Sequence, residues 1–207
     1  MGIYSIKPAF REFLRPLLKI LRPVHPDVLT WSAFFVSIVV GIFFYFIRSF
    51  PVLLLIIPVL LFLRLALNAL DGMLAIETNK ARPQGEVLNE LLDRYSDIAV
   101  IFGILFSNLL YHKLLGILAI ISILLASYTG ILGKAVGTKR QYGGIMGKAD
   151  RMIWIMVFCV LQYIVFIWRN DVFIFDYLML WFILSGQITV LTRVLTILKE
   201  LRIKQGA

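Results

Sequence analysis

Asn68, Asp71, Asn89, Asp93 and Asp97 stand out in a chain that is 60% hydrophobic, because amide and ionisable groups inside apolar runs are costly to bury and need a partner or a task. Arg64, Asn68, Asp71 and Ala75 follow one another at spacings of four, three and four, which puts them on one face of a helix. Gly85, Asn89, Asp93 and Asp97 repeat every four residues and form a second stripe. Gly72, directly after Asp71, lets a backbone or a flat ligand approach closely. Carboxylate and amide oxygens converging from two helices are the donor set of a hard divalent cation, Mg²⁺ or Mn²⁺. A thiolate or imidazole site is excluded, since Cys159 is the lone cysteine and His25 and His112 fall on opposite sides of the membrane in the topology below. The alternative is structural: Asp71, Asp93 and Asp97 would neutralise Arg64, Arg82 and Arg94 as buried ion pairs. Gly72, Ala75 and Gly85 leave room for something more than side chains.

The elements that must position these groups are hydrophobic runs of spanning length, roughly 29–46, 52–70, 87–110, 114–132, 152–168 and 173–191. They predict an all-α integral membrane protein of six transmembrane helices, with both termini on one side. Lys and Arg set the side. Lys7, Arg11, Arg15, Lys19, Arg22, Lys80, Arg82, Lys134, Lys139, Arg140, Lys148, Arg151, Arg193, Lys199, Arg202 and Lys204 share one side, against Arg48, Lys113 and Arg169 on the other. Both termini, the 71–86 segment and the 133–151 segment are therefore expected in the cytoplasm, and the carboxylate stripes with them. A net charge of +9 reflects this topology and anionic headgroups, not nucleic acid, for which no soluble basic domain exists.

Ile3 to Leu21 places Ile6, Phe10, Phe13, Leu14, Leu17, Leu18 and Leu21 at helical spacing against Lys7, Arg11, Arg15 and Lys19. This reads as an amphipathic helix in the interface, or as a cytoplasmic helix packed on the bundle. Its prolines and basic residues before any long apolar run do not fit a cleavable signal. The expected organisation is an N-terminal juxtamembrane segment, residues 1–28, and one membrane domain, residues 29–207.

The stretch Asn68-x2-Asp71-Gly72-x2-Ala75-Ile76-x8-Gly85-x3-Asn89-x3-Asp93 resembles the signature of the CDP-alcohol phosphatidyltransferase family, in which Asp-x2-Asp-Gly-x2-Ala-Arg is followed by Gly-x3-Asp-x3-Asp. The run Pro26-Asp27-Val28-Leu29-Thr30 is similar to that family's Pro-Asn-x-x-Thr start of the first span. Here Asn68 and Asn89 replace two aspartates and Ile76 replaces the arginine. Two carboxylate charges are lost, which weakens the case for two divalent ions. Asp97 and Glu90 stand nearby to restore charge, and an alternative register makes Asp93 and Asp97 the final pair.

The resemblance implies an enzyme of phospholipid biosynthesis that transfers a phosphatidyl or other diradylglycerol-phosphate group from CDP-diacylglycerol, or a similar CDP-lipid, to a hydroxyl of a small polar alcohol, releasing CMP. It implies a metal held by Asn68, Asp71, Asn89, Asp93 and Asp97. It implies CDP near Gly72, Ala75, Lys80, Arg82 and Gly85, and Asp93, then Asp97, as catalytic base. It also implies a homodimer surrounded by membrane lipids, in a prokaryotic cell membrane. Lys134, Lys139, Arg140, Lys148, Arg151 and Arg193 suit an anionic, phosphorylated acceptor, such as inositol phosphate or glycerol phosphate. The alternatives are a family member with impaired catalysis, or an ion-binding or transport protein.

Overall fold

The computed structural model describes residues 7–169 and 171–205, and Ile3 to Ile6 of the expected interfacial helix lie outside the described residues. The described chain is seven α-helices: α1 (Lys7–Leu21), α2 (Pro26–Tyr45), α3 (Leu53–Glu77), α4 (Pro83–Phe106), α5 (Lys113–Ala135), α6 (Lys148–Trp168) and α7 (Phe175–Gln205). By length and composition, α2, α3, α5, α6 and α7 can cross a membrane. The remaining expected span, α4, has 24 residues, but Glu86, Glu90, Asp93, Arg94 and Asp97 all fall in its first fifteen and dilute its apolar character. The protein is a multi-pass membrane protein.

Local sequence sets the helix starts on the charged side. Pro26 opens α2 with the Asp27 amide donating to His25 Nδ1 at 3.3 Å, and Pro83 opens α4 after an extended Arg82. Proline suits such first positions because its missing N–H would be unpaired there in any case. The Gly147 amide donates to Asp150 Oδ2 at 2.8 Å and fixes the start of α6. At 31 residues α7 is about 46 Å long, at about 1.5 Å per residue. That exceeds a hydrocarbon core of about 30 Å, so its basic end, Arg193 to Lys204, continues the expected span as helix beyond the bilayer.

α2 packs against both α3 and α4, α3 against α6, and α5 against α7. The α2–α4 crossing is the tightest. A Cβ on Gly103 would lie 2.4 Å from the Gly41 carbonyl oxygen, and one on Gly41 would lie 2.6 Å from that of Ala99. Small residues thus let two backbones touch, the usual means of helix association in lipid, and this contact fixes how α4 presents its polar stripe to α2 and α3. Val40, Phe44, Leu54, Ile57, Leu61, Ile104, Phe175 and Phe182 fill the interior, while Phe35, Val59, Ile167, Leu184 and Leu191 face outward, as a lipid solvent permits.

The N-terminal helix packs on the bundle, as one of its two readings expects. Leu14 and Leu18 of α1 bury against Leu70 and Leu74 of α3, and Phe10 meets Phe62 edge-on at 5.8 Å. Phe13 and Ile20 remain 70% and 74% exposed, so the docked helix keeps apolar side chains on its outer face.

Candidate active site

The charged ends of α2, α3, α4 and α6, with the 136–147 loop and Arg193 of α7, enclose an open cavity of about 900 Å³. Asn68, Asp71, Gly72 and Ala75 line it from α3, and Gly85, Asn89 and Asp93 from α4. The two stripes therefore face one another across one short connection. α3 ends where Thr78 and Lys80 donate their amides to Leu74 and Ala75 carbonyls, both at 2.9 Å, and Asn79 adopts a left-handed φ of 54°, which asparagine tolerates better than most residues. That reversal returns the chain to start α4.

Asp71 is the most elaborately held carboxylate. Its Oδ2 accepts from Thr30 Oγ1 at 2.9 Å and from Asn89 Nδ2 at 2.7 Å, and its Oδ1 accepts from the Gly72 amide at 2.5 Å. Asp93 Oδ1 accepts from Lys148 Nζ, and its Oδ2 lies 3.9 Å from Arg94. Asn68 is different. Both atoms of its amide are buried and, among the described residues, neither has a hydrogen-bond partner. A buried amide left unpaired is unfavourable by about 1–3 kcal/mol, so a side chain kept this way at a cavity wall is suited to meeting a bound group.

Asp97 departs from its expected role as metal ligand and second base. It accepts from Arg64 Nη2 at 2.9 Å and Arg151 Nη2 at 2.6 Å, is 6% exposed, and is absent from the cavity wall. The reason is helical phase. Four residues turn a helix about 40° past a full circle and advance it about 6 Å, so a stripe that faces the cavity at Asn89 and Asp93 has rotated into the protein by Asp97. Among the described residues no three His, Cys, Asp or Glu side chains come together as a metal cluster. Asp71 and Asp93 are the carboxylates of the stripes that reach the cavity, joined there by two amides. The ion-pair alternative holds for Asp97 with Arg64 and, at 3.9 and 4.0 Å, for Arg94 with Asp93 and Asp97, while Arg82 pairs instead with Asp27 at 2.5 Å.

The basic set also divides. Arg140, Lys148, Arg151 and Arg193 line the cavity, whereas Lys134 and Lys139 do not. Lys134 pairs with Glu86 at 2.6 Å, both half-exposed. α5 ends at Ala135, and Gly137, at φ 79°, turns the chain so that Lys139 is exposed with its amide on Glu200 at 3.4 Å. Arg193 Nε donates to the Gly143 carbonyl at 2.8 Å, and its Nη1 to that of Ala126. Gly130 leaves the space this guanidinium occupies, for a Cβ there would stand 2.9 Å from Arg193 Nη1. Arg140 pairs with Glu90 and lies over the Tyr142 ring at 5.1 Å. Burial lowers the pKa of its guanidinium, but Glu90, Tyr142 and Glu86 together offset this and the net direction is upward, so Arg140 is a fixed cation.

The expected nucleotide residues Gly72, Ala75, Lys80, Arg82 and Gly85 all line the cavity, and nothing stands within 4 Å of where a Gly72 Cβ would be. Sequence spacing missed Arg94, Gln141, and Phe10 and Arg11 of α1, all of which line it too. It also underrated Thr30 and Asp27, whose only signal was a short Pro-Asp-x-x-Thr run.

No model of a known protein family matches the chain. The inner membrane protein YnbA of Escherichia coli is 37% identical over 155 residues, 74% of this chain and 76% of that protein. The archaetidylinositol phosphate synthase of Pyrococcus horikoshii is 26% identical over 155 residues, 74% and 79% of the two chains. Among solved structures, the phosphatidylinositol phosphate synthase of Mycobacterium tuberculosis with CDP-DAG bound superposes with a TM-score of 0.69 at 21% identity, covering 91% of this chain and 92% of that one. The same enzyme in complex with manganese and citrate gives 0.70 at 20% identity, over 91% and 88%. With the spaced motif folded onto one cavity, this shared architecture and a relative matched across three quarters of both chains, the chain belongs to the CDP-alcohol phosphatidyltransferase family.

Proposed function

We propose that this transferase of phospholipid biosynthesis moves a diradylglycerol-phosphate group from a CDP-lipid to a hydroxyl of a phosphorylated polyol, inositol phosphate being the first candidate and glycerol phosphate the second. One observation carries the reading. The motif residues of α3 and α4 and the cationic residues Arg140, Arg151 and Arg193 line one continuous cavity, so a nucleotide donor and an anionic acceptor can occupy it side by side. The relatives named for inositol phosphate lipids support the choice of acceptor.

The oxygen donors Asp71, Asp93 and Asn89, with the unpartnered amide of Asn68, suit Mg²⁺ or Mn²⁺. Bound there, the cation would supply positive charge to the donor's pyrophosphate. The open wall at Gly72, Ala75 and Gly85 accommodates the cytidine. Lys80 and Arg82 supply the phosphate contacts that Ile76 cannot. Arg151 and Arg193 grip the acceptor's phosphate, with Arg94 and Arg140 behind them, and so orient its hydroxyl. Asp93 takes the proton of that hydroxyl. The freed oxygen bonds to the lipid-bearing phosphorus as the bond to CMP breaks, and CMP leaves with the electron pair.

The basic segments support a cytoplasmic position for this cavity and both termini, in a prokaryotic cell membrane with six spans. Within the 1–28 segment, α1 acts as an interfacial brace on α3, and the outward aromatic faces are offered for a homodimer. Asn68 and Asn89 favour one second reading, a member that binds CDP-lipid without turnover. The test is CMP release by purified protein in vesicles containing CDP-diacylglycerol, with inositol phosphate, glycerol phosphate, free inositol or serine as acceptor. Metal-dependent CMP with a polyol phosphate, lost in Asp71→Asn and Asp93→Asn, is expected. Activity confined to uncharged acceptors sinks the acceptor assignment, and saturable CDP-lipid binding without CMP would establish the second reading.

A further inference from the structure

We propose that this protein binds one divalent cation per chain, and that the ammonium of Lys148 stands as the fixed positive charge beside Asp93 where a second cation would otherwise be required. The inference rests on the reading of the cavity as a cation site. Its grounds are the charges that the fold brings together.

Four aspartates in the family pattern give a site enough negative charge for two divalent ions. This chain keeps Asp71 and Asp93 and has neutral amides at Asn68 and Asn89. The fold then adds a cation. Lys148 is the first residue of α6, lines the cavity, donates to Asp93 Oδ1, and its charge is felt by Asp71 as well as Asp93. Two carboxylates and one ammonium leave a single negative charge, which one divalent ion already overbalances. A second would enter against net positive charge, with Arg94 3.9 Å from Asp93 as a further repelling neighbour.

The donors are also distributed for one ion. Asn89 reaches from α4 to Asp71, and Asn68 keeps an unpartnered amide on the same face of α3, whereas Lys148 holds one oxygen of Asp93 and leaves only the other to face an ion. That lysine is firmly placed: the Gly147 amide on Asp150 starts the helix at its own position, and the neighbouring Met146 is buried, with its amide on Thr189 Oγ1 at 3.0 Å. Lys148 accordingly moves from the acceptor-binding set to the cation site. The two carboxylate charges that the family pattern has at positions 68 and 89 are absent here, and the Lys148 ammonium stands in the same cavity: fewer carboxylates need fewer mobile cations.

The test is a count of bound metal, independent of turnover. Full-length protein in detergent, stripped with chelator, is titrated with Mn²⁺ while the free ion is followed by its electron paramagnetic resonance signal. The wild-type protein should saturate at one Mn²⁺ per chain. Asp71→Asn should weaken that site at least tenfold. The triple variant Asn68→Asp, Asn89→Asp, Lys148→Met should saturate at two. Two ions on the wild-type chain would overturn the inference and leave the cation reading standing. No binding, or one ion indifferent to Asp71→Asn, would overturn both. A triple variant that elutes as a folded species yet still binds one ion would refute the part given to Lys148. If that variant does not fold, the wild-type count alone decides the inference.

Discussion

Asp97→Asn separates a structural carboxylate from a catalytic one. Asp97 bridges Arg64 and Arg151 at 2.9 and 2.6 Å, and the three residues are 6%, 1% and 4% exposed. Arg94 approaches the same carboxylate at 4.0 Å but has Glu90 nearer, at 3.6 Å, so the Asp97 charge chiefly serves Arg64 and Arg151. The amide keeps the shape and one acceptor oxygen but removes the charge, leaving Arg64 and Arg151 buried and mutually repelling. Breaking a buried pair from one side destabilises by about 3–5 kcal/mol. At about 2–4 °C per kcal/mol for a chain of this size, the apparent Tm should fall by roughly 6–20 °C. The assay is thermal unfolding in detergent followed by size-exclusion recovery, run beside CMP release. Asp93→Asn is the contrast: its partner Lys148 has a quarter-exposed side chain, so that variant should keep most of its stability and lose CMP release. Adding Arg64→Met to Asp97→Asn should cost less than the sum of the single changes, by about 0.5–3 kcal/mol, since the orphaned charge is removed. An Asp97→Asn protein with unchanged Tm and no CMP release would refute the reasoning and return Asp97 to the chemistry.

Three further outcomes follow from the packing and the cavity. Gly103→Ala should lower the apparent Tm, because its Cβ would meet backbone atoms of Gly41 at 2.4–2.8 Å and only movement of α2 from α4 relieves it; overpacking of this kind costs about 1–3 kcal/mol, more than alanine's helix propensity returns. Arg193→Gln should raise KM for a polyol phosphate by roughly 10- to 100-fold, the loss of a charge-assisted contact of about 1.5–3 kcal/mol, while KM for CDP-diacylglycerol changes little. Lys134→Ala and Lys139→Ala should leave the acceptor KM within about twofold, since neither lines the cavity and an exposed pair such as Lys134–Glu86 contributes about 0–1 kcal/mol; an acceptor defect in either would show that the 133–139 segment closes over the site.

Six helices were legible, five of them long and apolar enough to cross a bilayer, because a bilayer imposes one length and one composition, and the helices differ from the apolar runs chiefly where charge begins. α3 continues past Leu70 to Glu77 and α7 past Leu191 to Gln205, because backbone hydrogen bonding does not stop at the membrane edge even though hydropathy does. The positions of Asn68, Asp71, Asn89 and Asp93 were legible for a different reason. Spacings of three and four hold a face for about two turns, long enough to aim these residues at one cavity. The same regularity misled at Asp97, where accumulated phase turned the side chain inward to two arginines that lie 33 and 54 residues away in sequence.

What spacing cannot encode is pairing across the chain, and there the structure changes the chemistry. Lys134, Lys139, Lys148 and Arg151 look alike in a basic segment. The turn at Gly137 sends Lys139 outward, and the start of α6 sends Lys148 inward to Asp93. A lysine at that carboxylate bears directly on the two asparagines that make the motif atypical. If loss of catalysis alone explained them, neither Asp93 nor its lysine partner would have to be kept, and a neutral pair at the two positions would serve as well. A retained carboxylate with a built-in counter-charge is what a site needs if it must still take a proton while binding less metal. The asparagines and Lys148 therefore point to a rebalanced active site, and the Mn²⁺ count together with metal-dependent CMP release distinguishes that from a decayed one.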